Sequence, residues 1–241
     1  MNIEAAYLRD LWRLDLDKLE AWEQLPSYHV PFCGLLMAVH ANKAYLFAGR
    51  PQVDFFDLKT RQWGSIKTEF KRDDGCAGAG AWPYPDNHLT DYTMQMVDGR
   101  MYVFGGSHAK ASLGTNLFVV LDLATRKWTR LSGTVLPTPD YSCPNPRKWP
   151  ASWVSGGRIY IIYGVADRQA AQMHNQPHAA SDAFGYSDFW SWGLTDKRWF
   201  REIISGNTPC PRAEMACTYV CTSLFLHWPA FLRVPVQRTT S

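Results

Sequence analysis

One pattern recurs along the chain and limits what it can fold into. Residues Met94–Gly106 read MQMVDGRMYVFGG. Without gaps, Met37–Gly49 read MAVHANKAYLFAG and Ser152–Gly164 read SWVSGGRIYIIYG. Each stretch is an apolar run, a polar turn (HANK, VDGR, SGGR), a second apolar run containing Tyr, and a closing Gly. Asn, Asp and Gly tolerate the positive φ angles of tight hairpin turns, so each unit opens with a β-hairpin. A glycine at the end of the second strand marks a place where the backbone turns or another backbone comes close.

A second signature follows each hairpin. FFDLKTRQW ends at Trp63, VVLDLATRKW at Trp128 and FWSWGLTDKRW at Trp199. The first two share D-L-x-T-R-x-W, with Asp57, Thr60 and Trp63 in register with Asp122, Thr125 and Trp128. The third keeps Thr195 and Trp199 but has Gly193 in the Asp position. A fourth copy opens the chain, Leu11-Trp12-Arg13-Leu14-Asp15 followed by Trp22, with one extra residue before the Trp. Asp and Thr in such a turn hydrogen-bond nearby amides, and the Trp anchors a strand in the core. Each unit is therefore four short strands.

Four-strand repeats of this length are the sequence sign of a propeller. The glycine ends (Gly49, Gly105-Gly106, Gly164) followed by the D-x-x-T-x-x-W strands resemble the kelch repeat, from residue 8 to about 220. The match departs where Gly49 and Gly164 are single, preceded by Ala48 and Tyr163. The resemblance implies an all-β, kelch-type β-propeller of four-stranded antiparallel blades, either partial or with about four blades. It also implies a non-catalytic, intracellular protein-binding module.

The N-terminus supplies a third and fourth strand (Asp10–Asp15, Ala21–Leu25) without a hairpin of their own. Blade parts are expected at 1–28, 29–67, 92–133, 150–205 and 208–228, with an irregular tail at 229–241. Pro211-Arg212 echoes Pro146-Arg147 ahead of a hairpin, and Ala216–Trp228 fits the hairpin register, but Trp228 stands in the glycine position. Two readings follow. The terminal hairpin closes a four-bladed ring with the N-terminal strands, removing exposed edges, or the chain is part of a larger propeller. Kelch-like propellers usually have six or seven blades, and the out-of-family tail suits an altered or truncated reading frame, so the partial propeller is favoured.

A hydrophobic content of 46% and 11 Trp suit sheets packed face to face. The net charge of +3 comes without a basic block, which gives nucleic acid little support as a partner. The start MNIEAAYLRDLW lacks a secretory pattern, and no apolar run reaches membrane-spanning length. A cytoplasmic or nuclear location is expected, with no membrane partner. The six Cys (33, 76, 143, 210, 217, 221) include no CxxC. Placed in one strand, Cys217 and Cys221 would lie roughly 13 Å apart, too far for a disulfide or a shared metal. Buried free thiols are the expectation.

Strand alternation sorts the loops. The short turns share one face, and the long insertions 67–91, 107–116, 133–149 and 165–187 share the other. That loop-rich face is the candidate partner surface. It carries Trp82, Tyr84 and His88, then His108 and Lys110, then Tyr141, Arg147 and Trp149. The last insertion adds Arg168, Met173, His174, His178, Phe184 and Tyr186. Aromatics, Met and Arg are enriched at protein interfaces. On this reading, replacing Trp82 and Tyr84 by Ala weakens partner capture and leaves stability nearly unchanged.

Galactose oxidase-like copper enzymes share this propeller type, but no Tyr–His–Cys set can be assigned by motif. The densest candidate metal set is His174-x-x-x-His178 with Asp167 and Asp182, in a segment that reads as loop. There is no G-x-S-x-G elbow, and GCAGAG at 75–80 lacks the Lys-Ser/Thr of a phosphate loop. No catalytic residue, metal ligand or cofactor is assigned. The alternatives to a binding module are a metal-dependent propeller enzyme and a truncated, non-functional fragment.

Overall fold

Two consecutive residues in the left-handed region turn the first three expected hairpins. In the computed structural model these are Ala41-Asn42, Asp98-Gly99 and Gly156-Gly157, with φ between 46° and 72°. Two positive φ angles in a two-residue loop match the right-handed twist of the flanking strands. The structure describes residues 9–30, 36–70, 83–84, 89–108, 114–134, 141–167, 183–220 and 223–227. The first hairpin joins β3 (Met37–His40) to β4 (Lys43–Leu46). The second joins β8 (Thr90–Val97) to β9 (Arg100–Ser107), and the third joins β12 (Ala151–Ser155) to β13 (Arg158–Ile162).

The D-x-x-T segments also repeat one turn. Asp57 Oδ1 accepts the amides of Lys59 (2.9 Å) and Thr60 (3.0 Å), and Asp122 Oδ1 those of Ala124 and Thr125 (both 3.0 Å). Backbone hydrogen bonds, Thr60 and Thr125 first, hold both carboxyls below their ordinary range. The turn closes at a left-handed residue four places after the Asp position: Leu19, Arg61, Arg126 and Lys197. In the third blade the carboxylate has changed place. A Cβ at Gly193 would meet Asp196 Oδ2 at 2.7 Å, so Asp196, one residue after Thr195, fills the turn that Asp57 and Asp122 fill elsewhere.

Three four-stranded antiparallel sheets result. The first blade is β3–β4–β5 (Gln52–Asp57)–β6 (Gln62–Lys67). In the second blade β8 and β9 continue into β10 (Phe118–Asp122) and β11 (Lys127–Ser132), and β7 (Glu69–Phe70) adds a parallel fifth strand beside β11. In the third, β12 and β13 continue into β16 (Phe189–Gly193) and β17 (Trp199–Glu202). Strands β14 (Val165–Asp167) and β15 (Ala183–Gly185) pair at the base of the last long insertion, a ladder the sequence pattern does not announce. No helix occurs among the described residues.

The first strand of each blade is its inner edge. β8 packs against both β3 and β12, and β12 packs against β18 (Ala216–Val220), which pairs with β19 (Ser223–His227) as the fourth hairpin. Polar side chains stitch the second and third blades together at this inner edge: Thr93 bonds Ser152, and Gln95 Nε2 donates to Ser152 Oγ at 2.8 Å. At the other end β1 (Leu11–Leu14) pairs with β2 (Trp22–Leu25). Among the described residues β1–β2 and β18–β19 are separate two-stranded sheets, so the two chain ends do not share a blade. The blades form an open arc, as the partial-propeller reading expects. Cys217 lies in β18 (Ala216–Val220), and its expected strand-mate Cys221 lies outside the described residues.

The cores lie between blades. Phe47, Val53, Tyr84, Leu89 and Trp128 belong to the buried layer joining the first and second blades. Tyr102, Phe104, Phe118, Ile161, Trp192 and Trp199 belong to the layer joining the second and third. The repeated Trp does more than fill these layers. Trp63 Nε1 donates to Pro26 O (2.7 Å), Trp128 Nε1 to Thr68 Oγ1 (2.8 Å) and Trp199 Nε1 to Ser132 Oγ (2.7 Å). Each indole thus ties its blade to the chain leaving the fourth strand of the blade before. Trp22, expected in the core with the others, is 64% exposed, because no described blade precedes β1–β2 to cover it.

Candidate functional site

The glycine ends explain the Pro-Arg echo. Gly106 has φ +96°, and a Cβ there would lie 2.5 Å from Thr90 O. Its N–H donates to Arg147 O at 2.9 Å, and the N–H of Gly164 donates to Arg212 O at 3.0 Å. The Arg of each Pro-Arg pair is therefore bonded through its backbone to the closing glycine of the blade before.

Arg147 then turns inward, where it is fully buried. Its guanidinium makes a two-pronged bond to Asp188 (2.7 and 2.8 Å) and donates to Tyr163 O and Asn145 O (both 3.0 Å). It lies over the Tyr186 ring at 4.2 Å. Trp190 Nε1 adds a bond to Asp188 Oδ2 at 2.7 Å. Burial alone would raise the Asp188 carboxyl, but the charge and hydrogen bonds of Arg147 outweigh it and hold the group below its ordinary range. Burial pushes the Tyr186 phenol up to about 12. Arg147 carries burial that opposes its charge, and Asp188 more than offsets it, so the cation is kept. This cluster has the form of a buried joint: all three guanidinium nitrogens of Arg147 are bonded to the protein itself.

The sequence-selected residues separate accordingly. Arg147, Tyr186 and Phe184 come together, with Phe184 edge-on to Tyr186 at 5.2 Å. Tyr84 and His108 meet elsewhere, 6.1 Å apart, and both are buried, Tyr84 against Phe47. Burial drives the Tyr84 phenol far above its ordinary value. Tyr84 is thus a core residue, so Tyr84→Ala is expected to cost stability, against the expectation from sequence. Buried Arg147 and Tyr186, likewise, pack the loops onto the blades. Trp149 is half-buried at the inner edge, its N–H bonded to Asp91 O at 2.6 Å. Tyr141 is exposed. Trp82, His88, Lys110, Arg168, Met173, His174 and His178 lie outside the described residues.

Beside the Arg147 cluster a groove of about 1250 Å³ opens between the second and third blades. Its mouth on the loop-rich face carries Tyr141, Ile203 and Ile204, exposed by 62%, 96% and 45%. Its lining includes Arg201 of β17, Lys197 and Arg198 just before that strand, and Trp190, Trp192 and Trp199. Neither Ile was selected from sequence. The signal was two adjacent β-branched residues leaving a strand into the polar stretch SGNTP.

Among the described residues no three His, Cys, Asp or Glu side chains gather as a metal set. Asp167, from the candidate metal segment, instead receives a bond from Lys148 Nζ at 3.2 Å. Cys143 is buried, Cys217 is half-buried with its thiol bonded to Ser152 O at 3.2 Å, and Cys210 is free but exposed, unlike the buried thiol expected there. Cys33, Cys76 and Cys221 lie outside the described residues.

The chain resembles known proteins along most of its length. It is 30% identical to the leucine-zipper-like transcriptional regulator 1 homolog of Drosophila melanogaster, over 67% of this chain and 16% of that protein. It is 25% identical to acyl-CoA-binding domain-containing protein 4 of Arabidopsis thaliana, over 93% of this chain and 31% of that protein. Acyl-CoA-binding domain-containing protein 5 of the same plant is 27% identical over 67% and 20%. The chain thus spans less than a third of the length of each of these relatives. The KLHDC2/KLHL20/DRC7 Kelch-repeats domain matches residues 3–227. With its glycine-ended hairpins, its repeated Asp turns and its interblade Trp hooks, the chain belongs to the kelch-repeat family.

Proposed function

We propose that this chain is a non-catalytic module that holds a protein partner on its loop-rich face, in the cytoplasm or nucleus. Kelch-repeat domains are generally protein-interaction modules and generally non-enzymatic. The observation that carries the reading is the mouth of the interblade groove. Tyr141, Ile203 and Ile204 expose large apolar side chains there, on a frame fixed by the Arg147–Asp188 joint beneath. Exposed apolar residues grouped at a concave, rigid surface mark interaction sites, and Tyr is among the types that dominate binding energy.

The test is affinity capture from cells with the wild-type chain and a Tyr141→Ala, Ile203→Ser, Ile204→Ser variant, paired with thermal unfolding of both. The reading expects a reproducible set of captured proteins that the variant loses, with Tm unchanged because the three side chains are exposed. An identical captured set from both proteins overturns it.

A further inference from the structure

The second and third blades end in the same kind of outer strand, but among the described residues only the second is covered. Where Arg126-Lys127-Trp128 enters β11, Glu69-Phe70 is laid parallel beside Lys127 and Trp128. Lys127 is opposite Glu69, Trp128 is opposite Phe70, and Glu69 N–H donates to Arg126 O at 2.9 Å. Phe70 packs against the core that contains Trp128. The corresponding residues of the third blade are Lys197-Arg198-Trp199, with the same charge and the same Trp hook. Among the described residues no strand lies outside β17.

The linkers account for this difference. After Thr68 the chain runs straight on as the strap. After Ser132 it turns at Gly133 (φ +70°), whose Cα is pressed so close to the Asn116 carbonyl that no Cβ fits. Arg130 then holds Gly133 O at 2.9 Å, Asn116 Oδ1 takes the Thr134 amide at 2.9 Å, and Thr115 Oγ1 donates to Thr134 O at 2.7 Å. Gly133 and Thr134 are thus tied back to their own blade, whereas Glu69-Phe70 runs on as a strap.

The bare edge is also positively charged. Arg158 lies 3.9 Å from Asp196 and 3.7 Å from Glu202, Ser191 also donates to Glu202, and Asp188 is paired with Arg147. Arg158 is shared by two of these acids and Arg147 takes the third, so Lys197 and Arg198 before the strand and Arg201 within it leave the edge net positive.

We propose that β17 is a β-augmentation site for an extended segment of a partner protein, an acidic residue followed by an aromatic one, bound parallel to the strand as Glu69-Phe70 is on β11. Backbone hydrogen bonds supply the affinity of such added strands, and side-chain pockets and charges supply the choice of sequence. The aromatic ring enters the groove over Trp199, and the carboxylate meets the cationic rim. This site adjoins the loop-face contact proposed above along the same groove and does not depend on it.

The test uses the full chain and an end-capped, fluorescent hexapeptide Ser-Asp-Thr-Glu-Phe-Ser, whose core copies residues 68–70, read by anisotropy. Saturable, salt-weakened binding is expected. A Lys197→Glu, Arg201→Glu variant should weaken it about tenfold or more, the scale of losing close charge pairs. Nα-methylation of the peptide Glu, which cannot disturb the protein's fold, should weaken it as much. Arg126→Glu on the strapped β11 should leave it unchanged. The proposal is overturned by the absence of saturable binding, by indifference to the β17 charges or to N-methylation, or by equal loss with Arg126→Glu. Self-association of the chain that is abolished by Arg201→Glu would also overturn it, in favour of a second copy at this edge. The assay needs no knowledge of the natural partner, so it is scored independently of the capture experiment.

Discussion

The second and third blades share one plan and differ in what the linkers do with it. Both begin with a hairpin turned through two left-handed residues, and both hook a fourth-strand Trp onto the blade before. The second blade is sealed: its closing pair is Gly105-Gly106, Trp128 is fully buried, and β7 covers its outer strand. The third is less closed. Its closing pair is Tyr163-Gly164, with Tyr163 forced to φ +61°, Trp199 keeps 8% exposure, and β17 faces the groove. A repeat therefore fixes the frame, and the segments between repeats decide which surfaces stay open to a partner.

Arg147 joins the two blades, so its removal is the most severe way to break the comparison. Its carbonyl serves Gly106 of the second blade, and its side chain serves Asp188 and Tyr163 of the third. Arg147→Ala leaves Asp188 as an uncompensated buried charge, a loss of roughly 3–5 kcal/mol. For a domain of this size that is on the order of 10 °C in Tm. Replacing both partners by apolar residues, Arg147→Met with Asp188→Leu, should cost less than the single change. The pair also sets an acid limit. The Asp188 carboxyl is held below its ordinary 3.8, so its contribution is full above that value and is lost as pH falls through the lower folded value. Asp188→Asn should flatten the acid limb of a Tm–pH profile. A Tm within a degree or two of wild type for Arg147→Ala would sink the idea of a joint.

Much of this frame was legible in the sequence. The apolar–turn–apolar–Gly register gave the hairpins, because side-chain alternation and two-residue turns are local properties. The Pro-Arg echo was visible at 146–147 and 211–212, but its purpose was not, because it lies in a backbone bond to a glycine some forty residues earlier. The candidate site was less legible. Arg147, Tyr84 and Tyr186 have the composition of an interface, yet they are buried, and composition does not say whether a loop's aromatics face out or down. The strap is harder still. Glu69-Phe70 is two residues long, and nothing in TEF marks it as a strand until β11 lies beside it.

A sharper test of the sealed blade uses two glycines with similar φ and different surroundings. Gly106 (φ +96°) sits against Thr90 O, while Gly157 (φ +72°), in the third blade's hairpin turn, has nothing within 4 Å of a built Cβ. Gly157→Ala therefore costs only the left-handed conformation, about 1–2 kcal/mol. Gly106→Ala adds a clash with backbone that is itself held in the β8–β9 ladder, so its cost should exceed that of Gly157→Ala in urea unfolding. Equal costs would mean that the second blade yields as readily as a free turn.

The smallest expected effect compares the two indole hooks. Thr68 Oγ1 accepts from Trp128 and is itself buried with a bond to Pro51 O, whereas Ser132 Oγ accepts from Trp199 on the wall of the groove. Thr68→Val removes the acceptor without changing shape, in a place water cannot enter, and should cost about 1–3 kcal/mol, the desolvation cost of a donor deprived of its partner. Ser132→Ala removes the same kind of acceptor where water from the groove can replace it, so the loss should stay near about 0.5–1 kcal/mol. Urea unfolding resolves a difference of that size if the slopes match. Were Ser132→Ala the costlier of the two, the third blade would be the sealed one. The groove would then be closed to water in solution, and β17 would lose its standing as an open edge.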